Sequence, residues 1–567
     1  MPLKLAALVL VALSVSVTAS SAEKAAPAGL RCDLLLTGGR VVDGSGAPWF
    51  RGDLCVLGDR IAAVGHLGEA TAARTIDASG LVVAPGFIDM LGQSEYHLLV
   101  DGRAASKITQ GITTEITGEG QSIAPTSAAL IAVDDETWDY YGVTPDFLSL
   151  AGYWKALARA RPAINLGTFV GAGGVRRLVV GEDDRPARPA ELLAMERVVA
   201  QAMEEGALGL STSLIYTPDR FASTEEIIAL ARVAARHGGS YITHQRDEGD
   251  DLTRIGIDGS LDEVFRVARE ARIPAEIYHL KVSGKASWGK MAHVLKRIED
   301  ARAEGLDVSA DQYPWTASSN ALSASLPAWA REGGRERMVA RLQDPAVRAR
   351  LLSEMPRDEP AWPGLAGDIL ITSVLDPAVK PLEGKTLAEI ARAEGKDPLT
   401  AMFDLLVGDR ANTHRITFKM NEDDVRTALK HPWVSLGTDS GAGAEDGILS
   451  KQKSHPRGWA STARILGKYV REEKLLRLEE AIRKMTSLPA SRMRLLDRGL
   501  LRPGMAADLV AFDPEKVRER STYADPTHYS EGFLYVAVNG QLVVDAGRIT
   551  EARPGRALRG PGYRGGN

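Results

Sequence analysis

The chain has 567 residues, 44% of them apolar and 25% charged, with a formal net charge of −5. That length suggests two to four domains, or one large barrel with additions, and the composition is that of an ordinary globular protein. No long run of one sign interrupts it, so nothing favours nucleic-acid binding or electrostatic attachment to a membrane.

Residues 1–22 read as a secretory signal: Lys4, an apolar run "LAALVLVALSVSV", then small residues through Ala22. The run is shorter than the roughly 20 residues a membrane helix needs. The mature protein is therefore expected to be exported, periplasmic or secreted, with no stable membrane insertion after cleavage. The chain has two cysteines, Cys32 and Cys55. In an oxidising compartment they could pair, but sequence alone does not give their geometry.

From 23 to 83 apolar residues alternate with Gly and Asp punctuation, as in "DLLLTGGRVVDGSG" and "GDLCVLGDRIAAVG". Residues 496–567 echo this with "GLLRPGMAADLVAFDP" and "VAVNGQLVVDAGRI". Chain ends often lie close together, so the two segments are expected to form one small β-sandwich. The Gly-, Arg- and Pro-rich tail from about Arg553 is expected to be loose.

Between them, 84–495, helix and strand patterns alternate. "STEEIIALARVAARHGG" carries a capping-box spacing at Ser223 and Glu226, and "SLDEVFRVAREAR" another at Ser260 and Glu263. The strands "SYITH", "PAEIYHLKV" and "DVSADQYPW" punctuate them. Such alternation implies a parallel sheet, and its length favours a (β/α)8 TIM-like barrel. An insertion is expected around 325–430, after the seventh strand.

Barrel enzymes carry their chemistry at the C-terminal ends of the strands. The polar residues there are Glu119 in "GITTEITGEG", His244 in "YITHQRDEG", His279 and Lys281 in "IYHLKVSG", Tyr313 in "DQYPW" and Asp439 in "VSLGTDSG". Imidazoles and carboxylates on separate strand ends suit a mononuclear zinc site, which needs three protein ligands and an open position. Glu115 shares a strand face with Glu119 but sits about 13 Å deeper at roughly 3.3 Å per residue, which suits a buried contact. His97 lies past the first strand end and reads as a loop residue.

"DLLLTGGRVVDGSGAP", "APGFID", "GITTEITGEG", "EEGALGLSTSL", "HQRDEG", "HLKVSG", "GTDSG", "HPRGW" and "AIRKMTSLPASRMRLLDRGLLRPGMAADLVAFDP" occur in this order over 33–545. Together they resemble the D-aminoacylase (N-acyl-D-amino-acid deacylase) branch of the metal-dependent amidohydrolases. The resemblance implies that His244 and His279 are metal ligands and that Asp439 is catalytic. It implies substrate contacts from Lys281, Tyr313, Ser319 and Arg457. The sequence departs from the family twice. Leu91 and Gln93 stand where a His-x-His pair serves a second, weaker metal, and "GEG" stands where a cysteine ligand is usual. Glu119 is then the third ligand, giving a His2Glu set for one Zn(2+) per chain, with Gln93 in the vacated site.

The implied reaction is zinc-dependent hydrolysis of a linear amide, an N-acyl-D-amino acid giving a carboxylate and a D-amino acid. Its only implied partner is that small-molecule substrate. The competing readings are hydrolysis of a cyclic amide or a D-configured dipeptide, and a non-catalytic exported binding protein on the same scaffold.

Overall fold

A computed structural model describes residues 29–249, 255–355, 364–451 and 453–565. The expected signal segment lies outside the described residues.

The centre is a parallel barrel. Its strands are Phe87–Asp89, Ile112–Thr117, Asn165–Thr168 continued by Val170–Gly171, Gly209–Ser213, Ser240–His244, Ala275–Ile277, Val308–Gln312 and Val434–Leu436. Each pairs in parallel with the next. The ring closes where Met90 N–H donates to the Leu436 carbonyl at 2.9 Å and Gly92 bridges Ser440. Helices cover the outside because one face of each is apolar. Thr224–Arg236 buries Ile227, Ile228, Leu230, Ala231, Val233 and Ala234 and leaves Glu225 and Arg232 in water.

The two capping-box patterns differ in outcome. Ser223 Oγ accepts the Glu226 N–H at 3.2 Å, but the Glu226 carboxylate turns to Arg176 at 2.7 Å instead of returning to Ser223. Ser260 is not a cap. Its helix begins a turn earlier and spans Gly256–Ala271. Ser260 Oγ instead accepts the Asp247 N–H at 3.0 Å, tying down the loop that follows the fifth strand.

After the seventh strand the chain leaves the barrel at Ala317, earlier than the expected 325. It builds an antiparallel sheet of Ala317–Ala321, Ile369–Ser373 and His414–Phe418. Helices pack on this sheet around a separate core that includes Leu322, Ile371, Met402 and Phe403.

Both chain ends form one nine-stranded sheet, whose two halves join where Val82–Pro85 pairs antiparallel with Leu509–Phe512. This is the small β-sandwich domain read from the termini. Cys32 and Cys55 are bonded across it, with Cα atoms 5.5 Å apart.

The tail is not loose. Leu166 N–H donates to the Arg556 carbonyl at 3.0 Å, Leu558 N–H to the Leu166 carbonyl at 2.8 Å, and Gly560 N–H to the Gly206 carbonyl at 3.0 Å. Its glycines serve close approach: a Cβ at Gly555 would stand 2.0 Å from the Ile164 oxygen, and one at Gly560 2.1 Å from that of Ala207. Among the described residues no helix is long and apolar enough to cross a membrane.

Candidate metal centre and substrate cavity

Glu119 reaches the barrel mouth on a tight loop. Gly118 and Gly120 flank it at φ 99° and 60°, and a Cβ at Gly120 would strike Ser213 Cβ at 2.3 Å. The "GEG" spelling is thus a backbone requirement. His244 ends the fifth strand. His279 follows the sixth, and Asp439 follows the eighth. Both occupy the left-handed region, at φ 35° and 51°, which non-glycine residues rarely adopt. Each is held there by its own N–H: His279 donates to Asp311 Oδ1 at 2.9 Å, and Asp439 to the Leu91 carbonyl at 2.7 Å.

Three donor atoms converge. Glu119 Oε1 lies 2.8 Å from His244 Nδ1 and 3.5 Å from His279 Nε2, and those two nitrogens lie 3.0 Å apart. Ligands about 2.0–2.2 Å from one zinc stand at such separations from one another, and the donor set is a zinc set. Among the described residues this is the group that could hold a metal ion. The outward-facing nitrogens fit the same reading. His244 Nε2 is buried without a hydrogen bond, and it and His279 Nδ1 both lie 3.4 Å from a single atom, Glu248 Oε1. With the inner nitrogens committed to a metal, the outer ones carry hydrogen and Glu248 is their acceptor. Burial, the Lys281 ammonium and His244 push His279 down to about 3, so its imidazole is neutral as a ligand must be. Burial opposes ionisation of Glu119, but the neighbouring His244 and His279 outweigh it and hold the carboxyl well below its usual range.

Gln93 occupies the space next to this triad. Its Nε2 donates to Glu119 Oε2 at 3.0 Å and to Asp439 Oδ1 at 2.9 Å. Leu91 is fully buried among apolar neighbours. Burial pushes the Asp439 carboxyl up to about 7, against the pull of Arg457, whose Nη1 stands 2.7 Å from Asp439 Oδ2. The Arg457 guanidinium also lies 4.7 Å from the centre of the Tyr313 ring. Tyr313 Oη is buried without a hydrogen-bond partner.

A cavity of about 380 Å³ opens above these groups, lined by Gln93, Glu119, His244, His279, Ser319, Asp439 and Arg457 among others. Lys281 and Tyr313 stand off it. The Lys281 ammonium pairs with Glu248 Oε1 at 2.5 Å. Glu248 was missed by sequence reasoning, although "HQRDEG" places it four residues after His244. Asp311, which fixes the His279 backbone, was missed too; its signal is a carboxylate in the apolar seventh strand, "VSADQ". His97 begins a short helix, lines the same cavity and has Nδ1 3.0 Å from the Gln93 carbonyl oxygen.

Below the site lies a fully buried charged network. Lys107 Nζ donates to Asp89 Oδ2 at 2.9 Å, to Thr438 Oγ1 at 2.8 Å and to the Ser440 carbonyl at 2.7 Å. Glu115 faces the same ammonium at 3.7 Å and accepts the Ser94 N–H at 3.1 Å. A Cβ at Gly92 would collide with Glu115 at 1.8 Å, so the first strand end depends on that glycine. The network clamps the first strand to the eighth, and so sets Gln93 against Asp439.

A parallel barrel with two imidazoles and a carboxylate converging at its strand ends defines the class of metal-dependent hydrolases. The sequence pattern of the Amidohydrolase family matches residues 74–544. The chain is 37% identical over 530 residues to a D-aminoacylase from Alcaligenes xylosoxydans xylosoxydans, covering 93% of this chain and 97% of that one. It is 36% identical over 536 residues to an N-acyl-D-glutamate deacylase from the same organism, with the same coverage. The crystal structure of N-acyl-D-glutamate deacylase from Bordetella bronchiseptica, complexed with zinc and a phosphonate inhibitor, superposes with a TM-score of 0.78 at 34% identity, covering 93% of this chain and 100% of that one. The chain belongs to the amidohydrolase family, in its D-aminoacylase branch, and is a metal-dependent amidohydrolase.

Proposed function

We propose that the protein hydrolyses the linear amide of N-acyl-D-amino acids, with one zinc per chain held by Glu119, His244 and His279. The observation that carries this is the converging triad beside a buried carboxyl, Asp439, held near neutral ionisation at the mouth of a cavity. When bound, zinc supplies Lewis acidity toward the scissile carbonyl and lowers the pKa of water.

Asp439 takes the proton of the attacking water and delivers it to the leaving nitrogen. Its hydrogen bond from Gln93 fixes the carboxylate for that exchange. The unpartnered Tyr313 hydroxyl is the donor for the developing oxyanion. Arg457 is the cation for the substrate's α-carboxylate. Moving Arg457 from Asp439 to the substrate would strip Asp439 of its counter-ion and strengthen it as a base. Lys281 keeps Glu248 ionised and in place: burial alone would raise the Glu248 carboxyl, yet beside Lys281 and both imidazoles it falls to about 2.

An amine-release assay on matched N-acetyl-D- and N-acetyl-L-amino acids, hydantoins and dipeptides tests the reading. Cleavage of the D series is expected, and preferential opening of hydantoins would overturn it.

We also propose that the protein is exported. The apolar leader supports this, and so does the Cys32–Cys55 bond, since disulfides persist in oxidising compartments. Cell fractionation with N-terminal sequencing tests it; an intact Met1 on cytosolic protein would refute it.

A further inference from the structure

A second cavity adjoins the first. It has a volume of about 300 Å³ and shares Gln93, Tyr96 and Glu119 with its neighbour, so both open on the metal site. We propose that this second cavity receives the acyl group of the substrate and selects acyl chains well beyond acetyl. The proposal rests on the amide-hydrolysis reading above and names the substrate class for it.

The chain between the second and third barrel strands contributes Ile123, Pro125, Leu130, Ile131, Trp138 and Phe147. These side chains give the cavity one apolar wall, suited to an apolar occupant, while Gln93, Gln121, Ser122 and Thr126 stand in the rest of it. The charged groups lining the cavity are Glu95, Glu119, Asp134 and Arg177, and Glu119 belongs to the metal triad. Arg177 pairs with Asp134 at 3.1 Å and with Glu182 at 2.6 Å. Glu95 is buried, which pushes its carboxyl up to about 7. The first cavity differs, being lined by Asn320, Thr372, His414, Lys453 and Arg457. An N-acyl amino acid has one anionic end and one uncharged end. Charge complementarity sends the carboxylate to the cavity holding Lys453 and Arg457, and the acyl chain to the other.

The dividing wall is aromatic. Tyr96 stacks on His97 with ring centres 3.9 Å apart and meets Trp138 edge to face at 6.3 Å. Size gives the chain length its direction. At about 30 Å³ per water, the second cavity is worth roughly ten water volumes, most of which an acetyl methyl would leave unfilled.

Gly174 provides a probe. It lines the second cavity from the helix Ala172–Val179, and a Cβ there would meet nothing closer than 3.7 Å. A Cβ at Gly174 therefore has room, and Gly174→Met favours the helix while adding bulk at the wall of the space assigned to the acyl chain.

The test is kcat/KM for the N-acetyl, N-butanoyl, N-hexanoyl and N-octanoyl derivatives of one D-amino acid with the zinc-loaded enzyme. Each buried methylene is expected to raise it by up to ~4-fold, and the hexanoyl-to-acetyl ratio to reach at least tenfold. Gly174→Met should cut that ratio at least tenfold; should it fail to fold, Leu130→Trp at a half-buried position gives the same reading. A flat or falling series overturns the proposal. Calorimetric binding of acetate, butanoate and hexanoate separates the two readings. Affinity rising with chain length while no amide is cleaved supports the cavity and sinks amide hydrolysis. Amide cleavage with no gain in either series sinks the cavity alone.

Discussion

The Gln93 amide nitrogen lies 2.9 Å from Asp439 Oδ1, and the same nitrogen reaches Glu119 Oε2. A neutral donor thus stands between two carboxylates, Glu119 and the buried Asp439. Protein purified without chelator is expected to hold one zinc by elemental analysis. Gln93→Ala should keep that zinc but lower kcat, because a hydrogen bond to a charged group is worth about 1.5–3 kcal/mol, or roughly 10- to 150-fold. Two metals per chain in the wild type would contradict this.

We propose that Glu119 serves as the third zinc ligand, in place of the cysteine that the family resemblance implies. Glu119→Ala should lose zinc and activity together, and Glu119→Cys should regain part of both, since thiolate is a good zinc ligand. Full zinc retention in the alanine variant would remove Glu119 from the ligand set.

Glu248 supports both imidazoles from behind, with one oxygen 3.4 Å from each outer nitrogen. Loss of such an outer partner costs 10- to 100-fold in metal affinity or activity. Glu248→Gln should weaken zinc binding by about that factor in a competition titration with a chromogenic chelator. Unchanged affinity would make Glu248 merely the counter-ion of Lys281.

Asp439→Asn should lower kcat by about 10²–10⁴-fold with zinc content preserved, because a positioned base contributes that much. KM should move little, since a transition-state interaction is what is lost. No helix follows Asp439 directly, so a capping role offers no competing explanation. A zinc-loaded variant with near-normal turnover would defeat the mechanism.

Lys484 is buried, and that burial drops its ammonium to about 7 from 10.5. Below pH 7 folded and unfolded chains both hold the proton, and the full cost of burying the charge is present. Between about 7 and 10.5 the unfolded chain binds more protons, so stability rises with pH. Lys484→Met should therefore raise the melting temperature more at pH 6.5 than at pH 9. An equal shift at both pH values would show that Lys484 does not titrate in this window.

The residues that sequence reasoning reached, His244, His279 and Asp439, follow apolar strands of recognisable period, and Glu119 sits between glycines that demand a turn. The pairing of Lys281 with Glu248 was not legible, because the two follow different strands and pairing across a barrel leaves no trace in local spacing. Ser260 shows the limit of a motif: Ser-x-x-Glu repeats by chance inside a helix, and only the backbone start decides which serine caps. The tail misled through composition. Glycine marks freedom in a loop and close contact against a strand, and the letters are the same.

The antiparallel seam between Val82–Pro85 and Leu509–Phe512 joins residues more than four hundred apart. During synthesis the N-terminal strands of this sheet, through Val82–Pro85, are complete long before their partners leave the ribosome, and one strand edge stays open for that whole interval. An open edge invites pairing with other chains. Contacts so distant in sequence also form slowly. The small domain cannot close until both ends of the chain are present. Amputating residues beyond 508 is thus expected to leave the open edge permanently, and aggregation rather than a trimmed, soluble barrel should be the result.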